Sequence, residues 1–124
     1  MLDALFSQNT VIGTAMQAAA VRNDVIANNI ANADTPGFKA RGVSFEKALQ
    51  TALERRAQTG ILDLTGVKPE VRYVNQGFHY RLDQNNVDIE AEMAALYRNS
   101  VKYDALAGGV IANNRRMNLV ITGR

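Results

Sequence analysis

Residues Leu5, Ile12, Ala19 and Ile26 recur at every seventh position near the start of this 124-residue chain, and Leu2, Asn9, Met16, Asn23 and Ile30 interleave with them. That is the spacing of an a/d seam, which only a helix lying against another helix can bury. It predicts one long amphipathic helix over about residues 2 to 32. The far end repeats the device. Ile89, Leu96, Tyr103, Val110 and Met117 form one seven-residue series, and Met93, Ser100, Ala107, Asn114 and Ile121 form its partner. A second long helix over about 87 to 119 follows. Asp88, Glu90 and Glu92 in its first turns and Arg115 and Arg116 toward its end complement the helix dipole. Asn85, Asn86 and Asp88 are all suitable caps, and the pattern does not choose among them. Both seams are narrow and interrupted by asparagine and alanine. Gly13 costs about 1 kcal/mol relative to alanine. Gly108-Gly109 also weakens its helix but removes side chains where another backbone can approach.

Between the helices the pattern changes. Residues 1–38 carry one base and three acids, residues 39–86 carry eight bases and five acids, and residues 87–124 carry five and four. Charge-poor aliphatic ends therefore flank a basic middle, which holds Pro69, with Pro36 just before it. Phe45, Ala48, Leu49, Ala52 and Leu53 fall at helical spacing, predicting a short helix over about 44 to 57 ended by Thr59-Gly60. The alternations Val71, Tyr73 and Phe78, Tyr80, Leu82 predict a hairpin around Asn75-Gln76-Gly77. An isolated hairpin is marginal in water, so this middle is expected to be loosely ordered unless something packs on it. The expected fold is mainly α: two terminal helices paired antiparallel like a coiled coil, with a short helix and small hairpin between them. One domain is expected, divided at about 38 and 86.

Several chemistries find no footing. With no cysteine there is no disulfide, thiolate nucleophile or Cys-ligated zinc. His79, the single histidine, has no nearby ligand partners and reads as an outward strand residue. The run from Asp83 begins like a calcium loop but has Asp88 where glycine is needed and Ala94 where the bidentate glutamate belongs. Gly108-Gly109 lacks the rest of a phosphate loop, and Ser7, Ser44 and Ser100 lack a nucleophile elbow. Acids in the first turn of a helix are explained by its dipole. The residues therefore give no ground for an enzyme, a metal or a cofactor. No stretch approaches the ~18 apolar residues of a membrane span. Asp3 stands where a secretory signal carries bases, so a chain kept in the cytoplasm or exported without cleavage is expected. The net charge of +2 does not suggest nucleic-acid binding. A helical regulatory or nucleic-acid-binding module using Lys39, Arg41, Lys47, Arg55 and Arg56 is the alternative reading, although Glu46 and Glu54 dilute that patch.

The first helix ends in a distinctive turn. Thr35-Pro36-Gly37-Phe38 has proline and glycine in the order a type II turn asks for, and Asn32 and Asp34 can bond freed backbone groups. The physical minimum is a helix followed by a tight turn. The longer pattern Asn29-x-Ala31-Asn32-x-x-Thr35-Pro36-Gly37-Phe38-Lys39 resembles the N-terminal signature of bacterial flagellar rod, hook and related axial proteins. Asn86-Val87-Asp88-Ile89-Glu90-Ala91-Glu92-Met93 resembles the start of the C-terminal helix in the same family. Long members of that family insert a large domain between these segments. Only residues 40 to 85 separate them here, so the resemblance is to the short proximal-rod members, and the plain turn is unlike FlgC-type chains. Asn99-Ser100-x-Lys102-Tyr103-x-Ala105-Leu106 agrees.

The resemblance implies a non-enzymatic subunit of the basal-body proximal rod that links the MS ring to the rest of the rod and carries torque. It implies a place in the periplasmic rod and export by the flagellar type III apparatus without a cleavable signal. It also implies as partners other copies of the chain, the rod protein FlgC, the adaptor FliE, the MS-ring protein FliF and other rod subunits. The residues expected to form the assembly interface are Leu5, Ile12, Met16, Ala19, Ile26, Ile30, Ile89, Met93, Leu96, Tyr103, Val110 and Met117. The signature turn comprises Asn29, Asn32, Thr35, Pro36, Gly37 and Phe38. Stripes completed only by neighbours imply a subunit that is partly disordered alone and orders on assembly.

Overall fold

In the computed structural model of this chain, residues 2–74, 77 and 81–123 are described. Helix α1 spans Leu2–Ala31, strand β1 Arg41–Ser44, helix α2 Glu46–Thr59, strand β2 Glu70–Tyr73 and helix α3 Ile89–Thr122. The architecture is the expected one: mainly helical, with long terminal helices and a small two-stranded sheet between them.

Helices α1 and α3 run antiparallel. Asn29 bonds Glu92 near one end, Asn99 reaches Ala19 in the middle, and Asn9 meets Asn113 and Asn114 near the other. The first α1 series faces this seam: Leu5, Ala19 and Ile26 are buried and Ile12 half-buried. Burying a side chain such as Ile26 contributes roughly 1.5–3 kcal/mol. On α3 the seam differs from the expected one. Leu96, Val110 and Met117 are half-buried, whereas the buried positions are Asn99 and Asn113, with Leu106 half-buried between them. Asn99 donates to the Ala19 carbonyl at 2.8 Å, and Asn113 donates to Asn9 Oδ1 at 3.1 Å. An asparagine in a helical seam sets register at a cost in stability, because its side-chain N–H finds its partner in only one alignment.

Gly109 lies at this seam. A Cβ there would sit 3.4 Å from the Ile12 side chain, whereas one on Gly108 would meet nothing within 4 Å. The glycine pair is thus divided, one serving the approach of α1 and the other facing open space.

The middle segment packs on another face of α1. Phe45, Ala52 and Val67 form a small core with Ala18, flanked by Ala15, Leu49 and Leu64. Arg22 anchors the same region, donating to the Val43 carbonyl at 3.1 Å and pairing with Glu46 at 2.7 Å. Burial pushes the Glu46 carboxyl up, but its backbone hydrogen bond together with Arg22 and Lys102 outweighs this and leaves its pKa lowered. Gly60 in the left-handed region, φ 74°, ends α2 with its N–H on the Arg56 carbonyl at 2.8 Å.

Of the expected hairpin, only the first strand and Gly77, Arg81 and Leu82 fall among the described residues. Residues 71–73 do form a strand, but its partner is β1, antiparallel, with Arg41 opposite Tyr73 and Ser44 opposite Glu70. Phe78, His79, Tyr80 and most of the expected turn lie outside the described residues. Pairing across the length of α2 fastens the middle to the end of α1, which a local hairpin could not do. Asp88 caps α3, accepting from the Ala91 N–H at 3.2 Å, and the helix runs to Thr122, beyond its expected end. Among the described residues no helix is long and apolar enough to cross a membrane.

Candidate functional site

The two sequence patterns at opposite ends of the chain meet in one joint. It starts from the turn. The Phe38 N–H donates to the Thr35 carbonyl at 3.2 Å, and Gly37 has φ 72°, as the third residue of a type II turn requires. The Thr35 hydroxyl and the Asn32 side chain bond within the same turn, to Asn32 Oδ1 at 3.2 Å and the Asn28 carbonyl at 2.8 Å.

Three buried asparagines then lock this turn to its surroundings. Asn29, fully buried, behaves as an extra strand residue: its Nδ2 donates to the Arg41 carbonyl at 2.7 Å while its Oδ1 accepts the Arg41 N–H at 3.0 Å. Asn85, also fully buried, donates to the carbonyls of Asn32 at 3.0 Å and Thr35 at 2.8 Å and accepts the Val87 N–H at 2.7 Å. Asn86 accepts the Ala40 N–H at 2.6 Å and donates to the Val74 carbonyl at 3.0 Å. An amide carries donor and acceptor on one short stem, so each asparagine stands in for a missing peptide partner where the backbone is irregular.

Further bonds close the joint. Gly37 N–H reaches the Asp83 carbonyl at 2.9 Å, and Asn86 N–H the Phe38 carbonyl at 3.3 Å. Arg81 donates to the Ala33 carbonyl at 3.1 Å and to Asp34 at 2.9 Å. Beneath lies a small apolar core of Ala33, Ala40 and Val87 with Phe38 against it, so Phe38 does fold back beside the helix end. Glu92, in the first turns of α3, has its pKa raised by burial, with a smaller push from Asp88, against the opposing hydrogen bond of Asn29.

The signature residues are thereby placed: Asn29 is in the joint, Asn32 and Thr35 lend it their carbonyls, and Pro36 and Gly37 form its exposed outer bend. The residues expected at an assembly interface divide into two sets. Leu5, Ala19 and Ile26 are buried inside this chain, and Ile12, Met16, Ile30, Leu96, Val110 and Met117 are half-buried. Ile89, Met93 and Tyr103 are exposed. With Tyr97 and Val101, Ile89 and Met93 make an outward ridge at four-residue spacing along α3, exposed by 48%, 52%, 73% and 49% in chain order from Ile89. Three of the bases of the alternative reading are engaged within the chain. Arg41 donates to Asn28, Arg56 to Ser7 and Lys39 to the Gln84 carbonyl.

Asn85, Asn99 and Asn113 are structural centres that sequence reasoning misses. For the last two a signal existed: they lie fourteen residues apart, two full heptads, on one helix face.

A family model described as flagella basal body rod protein matches residues 11–39, which take in much of α1 and the whole signature turn. Over 114 residues the chain is 32% identical to flagellar basal body rod protein FlgB of Bacillus subtilis (strain 168), covering 88% of each chain. This chain belongs to the FlgB family. The FlgB of Borrelia hermsii is 33% identical over 121 residues, covering 86% of this chain and 89% of that one. The FlgB of Escherichia coli (strain K12) is 32% identical over 127 residues, covering 89% and 92%. These alignments span both helices and the middle, so similarity to FlgB proteins extends well beyond the turn. FlgB proteins form a structural family of the flagellar rod and not an enzyme family.

Proposed function

We propose that this chain is a structural subunit of the proximal rod of the flagellar basal body, polymerising through the outer surfaces of its terminal helices. The observation that carries the reading is the ridge Ile89, Met93, Tyr97 and Val101, left uncovered by α1 and by the middle segment. Four large apolar side chains in a row on one helix are what a neighbouring helix buries. The FlgB relatives, named as flagellar basal body rod proteins, supply the setting. In that setting the asparagine joint keeps the two helices in one fixed relation, which suits a subunit that passes torque between its neighbours. Contact with the MS ring and with FliE and FlgC belongs to the same reading, as do passage through the flagellar type III exporter and residence in the periplasmic rod. Cysteine-free composition suits a chain threaded unfolded through an exporter.

The test places charge on the ridge and not in the core. Ile26 is buried within the chain, so a charge there unfolds the subunit and tells nothing of assembly. Tyr97→Asp and Val101→Asp are exposed changes that leave folding intact. In a flagellated strain lacking its own copy, the parental chain is expected to restore swimming and basal bodies, and both variants to fail while still being exported. Normal swimming by the variants removes the ridge from the assembly, and no rescue by the parental chain overturns the rod reading.

A further inference from the structure

Two grooves flank α3 at the level of Asn99, one on each side, and their charges are opposite. The first, of about 310 Å³, is lined by Ala19, Ala20, Asn23, Asp24, Asn99, Ser100, Tyr103 and Asp104. Its only charged residues are Asp24 and Asp104, both exposed. The second, of about 250 Å³, is lined by Arg22, Glu46, Ala95, Arg98, Asn99 and Lys102. Three bases against one acid give it two net positive charges, matching the two negative charges of the first. Arg22 and Lys102 both lie near Glu46, at 2.7 and 4.0 Å, whereas Arg98 has no acid within ion-pair distance among the described residues.

A second observation falls on the floor that both grooves share. The Asn99 side chain is 4% exposed and donates to the Ala19 carbonyl, but its Oδ1 is the one buried side-chain acceptor without a partner among the described residues. A buried polar atom left unpaired is an unusual expense in a folded chain and points to a donor supplied from outside.

On the rod-subunit reading above, we infer that neighbouring copies dock side by side, the acidic groove at Asp24 and Asp104 of one receiving the basic edge at Arg98 and Lys102 of the next. The occupant is a second copy because the complementary surface is on this same chain, in equal and opposite charge, at the same height along the helix pair. The two surfaces are different and face opposite ways, so the contact is heterologous: a docked pair still leaves one groove of each sign free. Such contacts propagate as a ring or an open helix and do not stop at a dimer. Opposite charges also reject an inverted neighbour, which would bring like charges together.

Two experiments test this. In the first, Asp24→Lys with Asp104→Lys reverses one groove and Arg98→Glu with Lys102→Glu reverses the other. Either pair alone is expected to abolish swimming in the strain lacking its own copy, and all four together in one chain are expected to restore it. These are exposed positions, and far-UV circular dichroism of each variant checks that the fold is kept. Swimming at the parental level by either single-groove variant overturns the docking.

The second experiment uses the absence of cysteine. Ala95→Cys and Ser100→Cys place one thiol in each groove while leaving every charge in place, and on opposite sides of one helix they cannot bridge within a chain. Oxidised basal bodies carrying both are expected to give a ladder of dimers, trimers and larger products, and each single variant only monomer. Dimers from a single variant mean like surfaces meet, and monomer from the double variant means the grooves do not meet; both overturn the docking but leave the rod reading standing. Basal bodies that lack the cysteine-free parental chain altogether overturn both.

Discussion

Replacing Asn85 removes three hydrogen bonds of 2.7–3.0 Å from a fully buried side chain and leaves the carbonyls of Asn32 and Thr35 and the Val87 N–H without it. A typical protein hydrogen bond contributes about 1 kcal/mol net, and stranding a buried partner costs about 1–3 kcal/mol, so Asn85→Ala is expected to lose about 3 kcal/mol or somewhat more. At about 0.05–0.15 kcal/mol per residue a chain of this length holds roughly 6–18 kcal/mol in all. One side chain therefore carries a large part of the stability, equivalent to a fall of about 10 °C in Tm. Urea denaturation followed by far-UV circular dichroism measures it, with the m-value checking that the unfolded state is unchanged. Asn85→Asp sharpens the test. It keeps an acceptor for Val87 N–H but turns a carboxylate oxygen toward two carbonyls, so near neutral pH it should be at least as unstable as Asn85→Ala. Burial among acceptors raises the carboxyl pKa in the folded state, so the variant's stability falls as pH rises through that folded pKa. Below it the protonated acid donates again and part of the deficit returns. A loss below about 0.5 kcal/mol for Asn85→Ala, or parental stability for Asn85→Asp at pH 7, would refute the role assigned to the joint.

Gly37 has φ 72° and open space where a Cβ would go, so Gly37→Ala carries only the backbone cost of the left-handed region, about 1–2 kcal/mol. Gly37→Asn should lose less, because asparagine visits that region; equal losses in urea denaturation count against the turn assignment. Glu92 has a folded-state pKa above its ordinary value, so its charge destabilises the fold and stability falls as pH rises through that raised pKa. Glu92→Gln is accordingly expected to raise the denaturation midpoint at pH 7, with the gain vanishing as pH drops below the ordinary carboxylate range; a gain independent of pH contradicts this. Gly108 meets nothing within 4 Å, so Gly108→Ala should stabilise the isolated chain by about 1 kcal/mol through helix propensity. If a neighbouring helix approaches there, the same variant swims worse despite being more stable, and parental swimming would place Gly108 outside the assembly surface.

What could be read from the chain before its structure follows the range of the interactions involved. Helices α1, α2 and α3, the Gly60 stop and the Pro36-Gly37 bend come from neighbours within one or two turns, and their residues announce them. Strand β1 carries no such mark. Its four residues, Arg41 to Ser44, show no useful alternation, and its partner at Glu70–Tyr73 lies beyond an entire helix. The sequence rule for hairpins looks for the nearest second run, residues 78–82, and so cannot find a partner that precedes α2. The joint was half legible: the signature turn stood out, but Asn85 and Asn86 read as ordinary helix-capping residues. Their burial is decided by Ala40, Val74 and Thr35, which only the folded chain brings to them.

The apolar repeat of α3 holds the deeper lesson, because its seven-residue period is real while the face it implies is divided. Leu96, Val110 and Met117 are half-buried, but Ile89, Met93, Tyr97 and Val101 stay outside while Asn99 and Asn113 go in. For a monomer this arrangement is wasteful, since each outward side chain forgoes the roughly 1.5–3 kcal/mol of full burial and each inward amide must find a partner. For a subunit it separates two tasks. The asparagine seam fixes one register of α3 on α1 without spending the apolar residues, and the ridge keeps them for a neighbour. Exchanging the two sets, with leucine at Asn99 and Asn113 and lysine at Met93 and Tyr97, should then give a more stable monomer that does not assemble. Retained assembly by that exchanged chain would show that the division of α3 between inner and outer faces has another cause.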